Sequence, residues 1–108
     1  MTFDKEFENR WRKFSLPEQM ANIGADIGRA INWKGKDKKT SRLYFDKGLE
    51  LLDFTIVDPK NKKRIKELLR VREMLADYFY FENIYKSNDK LWNNYFYNFN
   101  YLVRNRTR

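Results

Sequence analysis

SLPEQMANIGADIG, residues 15–28, carries the strongest structural signals in this chain. Ser15 and Glu18 have the spacing of a capping box, in which each side chain accepts a hydrogen bond from the other residue's backbone N–H. Pro17 falls in the first turn of the helix that follows, where its missing N–H is not needed. The sequence therefore predicts a helix over about residues 16–33.

Two adjoining faces of this helix are suited to packing. The large apolar side chains recur every three or four residues and share one face: Leu16, Met20, Ile23, Ile27, Ala30 and Ile31. The second face carries small residues: Ala21, Gly24, Ala25 and Gly28. A glycine inside a helix costs about 1 kcal/mol relative to alanine, so two of them four residues apart indicate close approach by another helix. We expect this helix to be the centre of the fold, covered on two sides.

Four further helices are predicted by apolar spacing and by the residues that break helices. A short N-terminal helix is expected within residues 1–14, at about 3–13, because aromatic residues recur there at helical spacing. Longer helices are expected at about residues 38–57, 59–80 and 88–104. Asp58 is the expected N-cap of the second of these, with Pro59 at its first position. The basic tail at residues 105–108 is expected to fray.

The last two helices have apolar faces that are expected to enter the core. In the helix over residues 59–80 the core face is expected to hold Ile65, Leu68, Leu69, Leu75, Ala76 and Phe79. In the last helix it is expected to hold Leu91, Tyr95, Phe99 and Leu102, with Trp92, Phe96 and Val103 beside them. The run YFYNF at residues 95–99 has β propensity, which conflicts with a helix there.

The connections between these helices are short, which predicts antiparallel neighbours. A length of 108 residues corresponds to a single domain, over residues 1–108. The predicted fold is therefore all-α: an up-down helical bundle of four main helices plus a short N-terminal helix.

Three stretches of the chain are similar to those of known proteins. LPEQMANIG at residues 16–24, LELLD at residues 49–53 and DPKN at residues 58–61 resemble an uncharacterised family of small prokaryotic helical proteins. The resemblance covers about residues 16–81. It implies a prokaryotic lineage for the fold, and it carries no activity, cofactor or site residue.

Most catalytic chemistry is excluded by composition, because the chain has no cysteine and no histidine. The usual nucleophilic triads and dyads and the common zinc sites all require one of these residues. No phosphate-binding glycine loop is present. Asp46, Glu50 and Asp53 share a helix face and offer magnesium ligands, but a solvated acidic face is the favoured alternative. We expect a protein that is not an enzyme and that has no metal or cofactor.

Charge and hydropathy point to a basic protein outside the membrane. Twenty-three basic residues outnumber fifteen acidic ones, for a net charge of +8. This balance favours a nucleic-acid partner, although a lysine-rich composition without any binding role is the alternative. Apolar runs are too short to span a bilayer, and the first residues carry acids, so we expect no signal peptide. The absence of cysteine is compatible with the cytoplasm, where we expect the protein.

A basic cluster is the first candidate site. It consists of Lys60, Lys62, Lys63, Arg64 and Lys66, in the first turns of the helix over residues 59–80. A helix N-terminus already carries partial positive charge, so these cations favour a bound anion. An up-down bundle would bring further bases to the same end: Arg104, Arg106 and Arg108 from the C-terminus, with Arg10, Arg12 and Lys13. The alternative is a solvated turn in which Lys63 pairs with Glu67.

Apolar residues off the core faces are the second candidate site. Leu43, Phe54 and Val57 form an outer stripe on the helix over residues 38–57, and Tyr97 with Tyr101 form a pair on the last helix. They predict a protein interface, a base-stacking surface, or a surface covered by the N-terminal helix.

Arg72 is the third candidate, because helical geometry places it inside an apolar face. It predicts a buried ion pair with an acid of the second or third helix, or an anion site in a crevice between helices.

These observations predict a non-catalytic, basic helical-bundle protein that contacts RNA or DNA through phosphates, without sequence specificity. The alternative is a protein-interaction module or homo-oligomeric adaptor that uses the outer apolar stripe of the third helix. No membrane association is expected.

Overall fold

The computed structural model describes residues 5–106, and side chains for residues 5–105. Five α-helices and one 3₁₀ segment follow one another: α1 (Lys5–Trp11), α2 (Leu16–Trp33), α3 (Lys38–Ile56), the 3₁₀ segment Pro59–Arg64, α4 (Ile65–Tyr80) and α5 (Asp89–Arg106). The prediction of an all-α bundle with a short N-terminal helix is confirmed. The described residues contain no strand, and the β-prone run at residues 95–99 is helical. Phe3, residue 107 and Arg108 lie outside the described residues.

The four main helices alternate in direction. Ser41, near the start of α3, donates to the carbonyl of Ala30, near the end of α2, at 2.6 Å. Tyr78, near the end of α4, donates to Asp89 at the start of α5. Helix α2 packs mainly against α3 and α5, so the expectation that it lies at the centre is confirmed. In residues 5–106, no helix combines the length and apolar character that crossing a membrane requires.

The start of α2 is fixed by the predicted capping box. The backbone N–H of Ser15 donates to Glu18 Oε1 at 2.8 Å, and the backbone N–H of Glu18 donates to Ser15 Oγ at 3.3 Å. These bonds satisfy two N–H groups that a helix start leaves without partners. Asp58 and Pro59 also take their predicted positions, as N-cap and first residue, but the element they begin is the 3₁₀ segment.

The two glycines of α2 differ in their surroundings. A Cβ added at Gly24 would lie 2.5 Å from the Cβ of Phe96, so α5 approaches the backbone of α2 closely there. At Gly28, apart from its chain neighbours and the nearby backbone of α2, no atom of the described residues lies within 4 Å of an added Cβ. The predicted close approach is therefore confirmed at Gly24 and wrong at Gly28.

The core faces of α4 and α5 are rotated from the predicted ones. Helix α4 buries Leu68, Val71 and Leu75 and exposes Ile65 and Leu69. The prediction is confirmed at Leu68 and Leu75 and wrong at Ile65 and Leu69. A face centred as predicted would have carried the guanidinium of Arg72 into the core, where it needs a desolvated partner.

In α5, Leu91 and Leu102 are exposed, whereas Trp92, Phe96 and Phe99 are buried. Two overlapping apolar stripes compete on this helix. The observed orientation turns Trp92 and Phe96 inward, and these large aromatic side chains remove more apolar surface from water.

A buried polar network joins α1, α2, α3 and the 3₁₀ segment. The amide nitrogen of Gln19 donates to the carbonyl of Trp11 at 3.1 Å and to Asp58 Oδ2 at 3.0 Å. The amide nitrogen of Asn61 donates to Gln19 Oε1 at 2.9 Å and to the carbonyl of Thr55 at 3.0 Å. The indole N–H of Trp11 donates to Thr55 Oγ1 at 3.0 Å. All five residues are buried, and these bonds replace the water that their polar groups lose on folding.

We expect Gly24→Ala and Gly28→Ala to change stability in opposite directions. The added methyl group at Gly24 must displace Phe96, and overpacking of this kind costs about 1–3 kcal/mol. The same change at Gly28 meets open space and gains up to about 1 kcal/mol of helix propensity. Urea denaturation of both variants measures the effect. Equal free energies of unfolding would contradict the close packing of α2 on α5.

Asp58 makes the stability of the fold sensitive to acid. Burial alone would raise the pKa of Asp58, but hydrogen bonds from Lys60 and Gln19 outweigh it and hold the pKa below its ordinary value. The ionised carboxylate therefore stabilises the folded state above the unfolded-state pKa, and this contribution is lost as pH falls through the lower folded-state pKa.

We expect Asp58→Asn to lower the free energy of unfolding at pH 7 and to make it fall less steeply between pH 5 and pH 2. The difference between variant and wild type, from urea denaturation at each pH, isolates this residue from other carboxylates. A constant difference across this range would contradict the depressed pKa.

Candidate nucleic-acid interface

The predicted basic cluster lies at the end of the bundle where α2 begins. Lys60 has a structural position, because its Nζ lies 2.5 Å from Asp58 Oδ2 and 3.0 Å from the carbonyl of Arg12. Arg64 pairs with Glu67 at 2.6 Å, which replaces the predicted pairing of that glutamate with Lys63. Lys62, Lys63 and Lys66 are exposed and have no ion pair with any described carboxylate. Three of the five predicted cations therefore remain available to an external anion.

The bases expected to join this cluster are engaged differently. The direction of α5 brings its C-terminal end towards the start of α2, as predicted. The guanidinium of Arg104 contacts Tyr97, with its Nη2 3.4 Å from the hydroxyl oxygen and its carbon 5.9 Å from the ring centroid. Arg10 pairs with Glu6, and Arg12 pairs with Glu8, both acids of α1. Arg106 is the last residue of α5, and its side chain lies outside the described part.

The predicted outer stripe of α3 is not continuous. Phe54 is covered by α1, with its ring centroid 6.1 Å from that of Phe7. Leu43 and Val57 are exposed, but they are fourteen positions apart, which is about 21 Å along a helix. Three alternatives were predicted for this stripe, and at Phe54 the structure shows the third, a side chain covered by the N-terminal helix. Tyr97 and Tyr101 are both exposed on α5.

Arg72 forms an ion pair with Asp53 of α3, with Nε 2.6 Å from Oδ1. A partner on the third helix was predicted. The predicted burial was wrong, because both side chains are substantially exposed. The pair links α3 to α4 at the surface, where such contacts contribute little to stability.

A pocket that the sequence patterns do not predict lies at the opposite end of the bundle, where the turn between α2 and α3 meets the end of α4. Its volume is about 350 Å³. We call it the cation–aromatic pocket, and it is lined by Lys34, Lys38, Ser41, Arg42, Phe45, Phe79 and Tyr80. Three of these residues are cationic and three are aromatic, and none of the described lining residues carries a carboxylate.

The aromatic side of this pocket is built by α3 and α4. The rings of Phe45 and Phe79 stack with centroids 4.0 Å apart, and Tyr80 packs edge-on against Phe45 at 5.1 Å. The guanidinium of Arg42 lies 4.8 Å from the centroid of the Tyr80 ring. The hydroxyl of Tyr80 donates to Asp46, which fixes the ring at the pocket edge. An aromatic ring with a cation against it is a common element of nucleobase-stacking sites.

Lys34 is held at the pocket by α4 and α5. Its Nζ lies 2.8 Å from the hydroxyl oxygen of Tyr78 and 2.8 Å from Asp89 Oδ1. Burial works to lower the pKa of Lys34, but hydrogen bonds with Asp89 and Tyr78 outweigh it, so the pKa lies above its ordinary value. Lys34 therefore stays charged. Lys38 and Arg42, one turn apart on α3, are exposed too, whereas only Lys34 of the three pocket cations is paired with Asp89.

Part of this pocket has a sequence signal. The run KGKDKK at residues 34–39 places four lysines in a turn, and Arg42 follows Lys38 by one helical turn. Tyr80 and Phe79 are about forty positions away in sequence, so their proximity depends on how α4 crosses α3.

The acidic residues of α3 do not form a metal site. Asp46 accepts the bond from Tyr80, and Asp53 pairs with Arg72. Among residues 5–106, no group of three metal-ligating side chains lies close enough to hold a metal ion.

Comparison with protein-family models, with curated proteins and with solved structures finds no match for this chain. The resemblance over about residues 16–81 therefore stays a prediction.

Proposed function

We propose that this protein binds single-stranded nucleic acid, and that the cation–aromatic pocket holds one of its nucleotides. The observation that carries this proposal is the composition of the pocket lining, in which cations and aromatic rings face one cavity without a carboxylate. A nucleotide has a flat aromatic base and an anionic phosphate, so it matches both halves of this lining. The proposed partner is nucleic acid, as predicted from the sequence, but its main contact is the cation–aromatic pocket and not the basic cluster of residues 60–66.

The phosphate is assigned to Lys38 and Arg42. They lie on the first turns of α3, where the helix N-terminus adds partial positive charge. Residues 34–46 carry five basic side chains and two acidic ones, Asp37 and Asp46, and Asp89 of α5 adds a third carboxylate through its bond to Lys34. Each carboxylate has a structural partner: Asp37 caps α3, Asp46 accepts from Tyr80, and Asp89 accepts from Lys34. The cations are thus left in excess.

The base is assigned to the rings of Tyr80 and Phe79. Stacking on an aromatic side chain contributes about 1–3 kcal/mol per base and tolerates any base. A volume near 350 Å³ is at the small end of ligand pockets, which fits one nucleotide. A base paired within a duplex has both faces covered by its neighbours, so this arrangement favours a single strand.

The basic cluster around Lys62, Lys63 and Lys66 offers a second, purely electrostatic contact. These exposed cations are suited to phosphates of the same strand or of another one. These three lysines do not line the cation–aromatic pocket. We therefore propose that this cluster attracts phosphates electrostatically and does not hold a base.

Two charge-matched variants separate the two surfaces. Lys38→Glu with Arg42→Glu, and Lys62→Glu with Lys63→Glu, each change the net charge by the same amount. We expect the first variant to weaken binding of a fluorescent oligothymidylate or oligouridylate at least tenfold, and the second to weaken it less. Fluorescence anisotropy at several salt concentrations gives both the affinity and its salt dependence. The logarithmic salt slope should become shallower by about 0.7 for each phosphate that the variant no longer neutralises.

The comparison between the two variants requires that both are folded. Circular dichroism checks that both variants are folded, and the helix dipole favours glutamate at position 38, in the first turn of α3. Equal losses of affinity in the two variants would reduce the binding to net charge alone and would contradict the pocket. Absence of binding by the wild type at low salt would contradict the proposal as a whole.

Stacking is tested by two substitutions at Tyr80. Tyr80→Phe keeps the ring and loses the hydroxyl with its bonds to Asp46 and Arg42, so we expect nearly unchanged stacking and affinity. Tyr80→Ala removes the ring, and we expect a loss of about 1–3 kcal/mol, or roughly 5- to 150-fold in the dissociation constant. The same anisotropy assay measures both variants. A Tyr80→Ala protein that binds as tightly as Tyr80→Phe would show that no base stacks there.

A further inference from the structure

The outer side of α5 carries a stripe of side chains that take no part in the core. Lys90, Asn94, Tyr97, Tyr101 and Arg104 recur every three or four residues, so they share one side of the helix. All five are exposed, and the buried aromatic side chains of α5 lie on the opposite side. We call this stripe the α5 face. From its first residue to its last it extends about 21 Å along the helix axis.

Two tyrosines give the α5 face flat aromatic surfaces. Tyr97 is 53% exposed and Tyr101 is 54% exposed, and residues four apart on a helix are neighbours, with about 5–6 Å between their Cβ atoms. The guanidinium of Arg104 lies against Tyr97, with its carbon 5.9 Å from the ring centroid. Neighbouring rings with a cation beside one of them are suited to stacking successive bases of a strand.

The charge around the α5 face favours an anionic partner. All fifteen acidic residues of the chain lie within residues 1–89, so residues 90–108 contain no aspartate or glutamate. The α5 face itself contributes two cations, Lys90 and Arg104, and Asn94 adds a neutral amide. Cations and aromatic rings without a carboxylate are also the chemistry of the cation–aromatic pocket. Both surfaces therefore match the phosphates and bases of a single strand.

The α5 face begins next to the cation–aromatic pocket. Asp89, which precedes Lys90, accepts a hydrogen bond from Lys34 Nζ at 2.8 Å, and Lys34 lines the pocket. From there the face leads away from the pocket, because α5 is directed towards the end of the bundle where α2 begins. A strand with one nucleotide in the pocket therefore has the α5 face beside it.

We propose that the α5 face is a second subsite for the same single strand, in which Tyr97 and Tyr101 stack two bases and Lys90 contacts a phosphate. This proposal rests on the proposed binding of single-stranded nucleic acid, and it adds a length requirement, because only a strand that occupies both surfaces gains the full affinity. Sites for single strands without sequence preference take about 4–16 nucleotides. A face of about 21 Å beside a one-nucleotide pocket agrees with that range.

Thymidylate oligomers of three and of twelve nucleotides test this proposal, because only the longer one can occupy the pocket and the α5 face at once. We expect Tyr97→Ala with Tyr101→Ala to weaken binding of the longer oligomer at least about tenfold, since two stacking contacts are lost. Binding of the shorter oligomer should change no more than about twofold, because the pocket that holds it is intact. Fluorescence anisotropy at low salt measures all four dissociation constants.

Leu91→Ala with Leu102→Ala is the matched control. Both leucines are exposed on α5, but they lie about a third of a turn around the helix from the two tyrosines. This variant loses apolar surface from the same helix and keeps both rings, so it should bind the two oligomers like the wild type. Circular dichroism checks that each variant is folded.

Three results would overturn the proposal. A Tyr97→Ala, Tyr101→Ala protein that binds the longer oligomer as tightly as the wild type would leave the α5 face to a protein partner. Equal losses for both oligomers would show that the tyrosines act through the fold and not as a separate subsite. An equal loss in the leucine control would reduce the effect to apolar surface.

Tyr80→Ala in the same assay keeps this outcome separate from that of the pocket. Unchanged binding of the shorter oligomer by Tyr80→Ala would contradict the pocket, whereas the tyrosines of α5 are judged by the longer oligomer. A wild-type protein that binds neither oligomer would overturn both proposals.

Discussion

The buried amide of Gln19 is the interaction on which the arrangement of the helices depends. Its nitrogen and oxygen are bonded to Trp11, Asp58 and Asn61, so a single side chain connects α1, α2 and the 3₁₀ segment. Each of these groups has given up its water, and an unpaired buried amide or carboxylate costs about 1–3 kcal/mol or more. A shift of any one element would leave several such groups without partners, so the network holds the elements in one relative position.

The position that this network fixes for the 3₁₀ segment also determines where the cation–aromatic pocket forms. The 3₁₀ segment sets where α4 starts, and α4 then runs antiparallel to α3, with Arg72 opposite Asp53 and Tyr80 opposite Asp46. The end of α4 is thereby brought to the start of α3, where Phe79 and Tyr80 complete the cation–aromatic pocket. The rotation of α4 that keeps Arg72 out of the core also turns Leu69 outward into solvent. The same orientation of α4 therefore completes the cation–aromatic pocket with α3 and leaves Leu69 exposed.

Much of the fold followed from the sequence, because its signals are local. The capping box at Ser15, the N-cap at Asp58 and the central position of α2 depend on residue types within one or two turns. The faces of α4 and α5 did not follow, because two adjacent stripes on each helix have similar hydrophobicity. Only the neighbouring helices decide between Leu69 and Val71, or between Leu91 and Trp92.

The candidate sites, like the faces of α4 and α5, could be predicted only in part from the sequence. Clustered lysines are visible in sequence, but whether they are available is not: Lys60 and Arg64 are paired with acids of the same end of the bundle. The cation–aromatic pocket joins residues 34–45 to residues 79 and 80. Contacts between residues so far apart in the sequence can be identified only from the folded structure.

Amide chemical-shift mapping by NMR can establish whether a nucleotide binds where α2, α3 and α4 meet. The ¹⁵N-labelled protein would be titrated with a short oligothymidylate or oligouridylate at low salt. We expect the largest, saturable shifts at residues 34–42 and at residues 79 and 80, with smaller ones at residues 60–66. Shifts confined to residues 60–66, or no shifts at any point of the titration, would contradict binding in the cation–aromatic pocket.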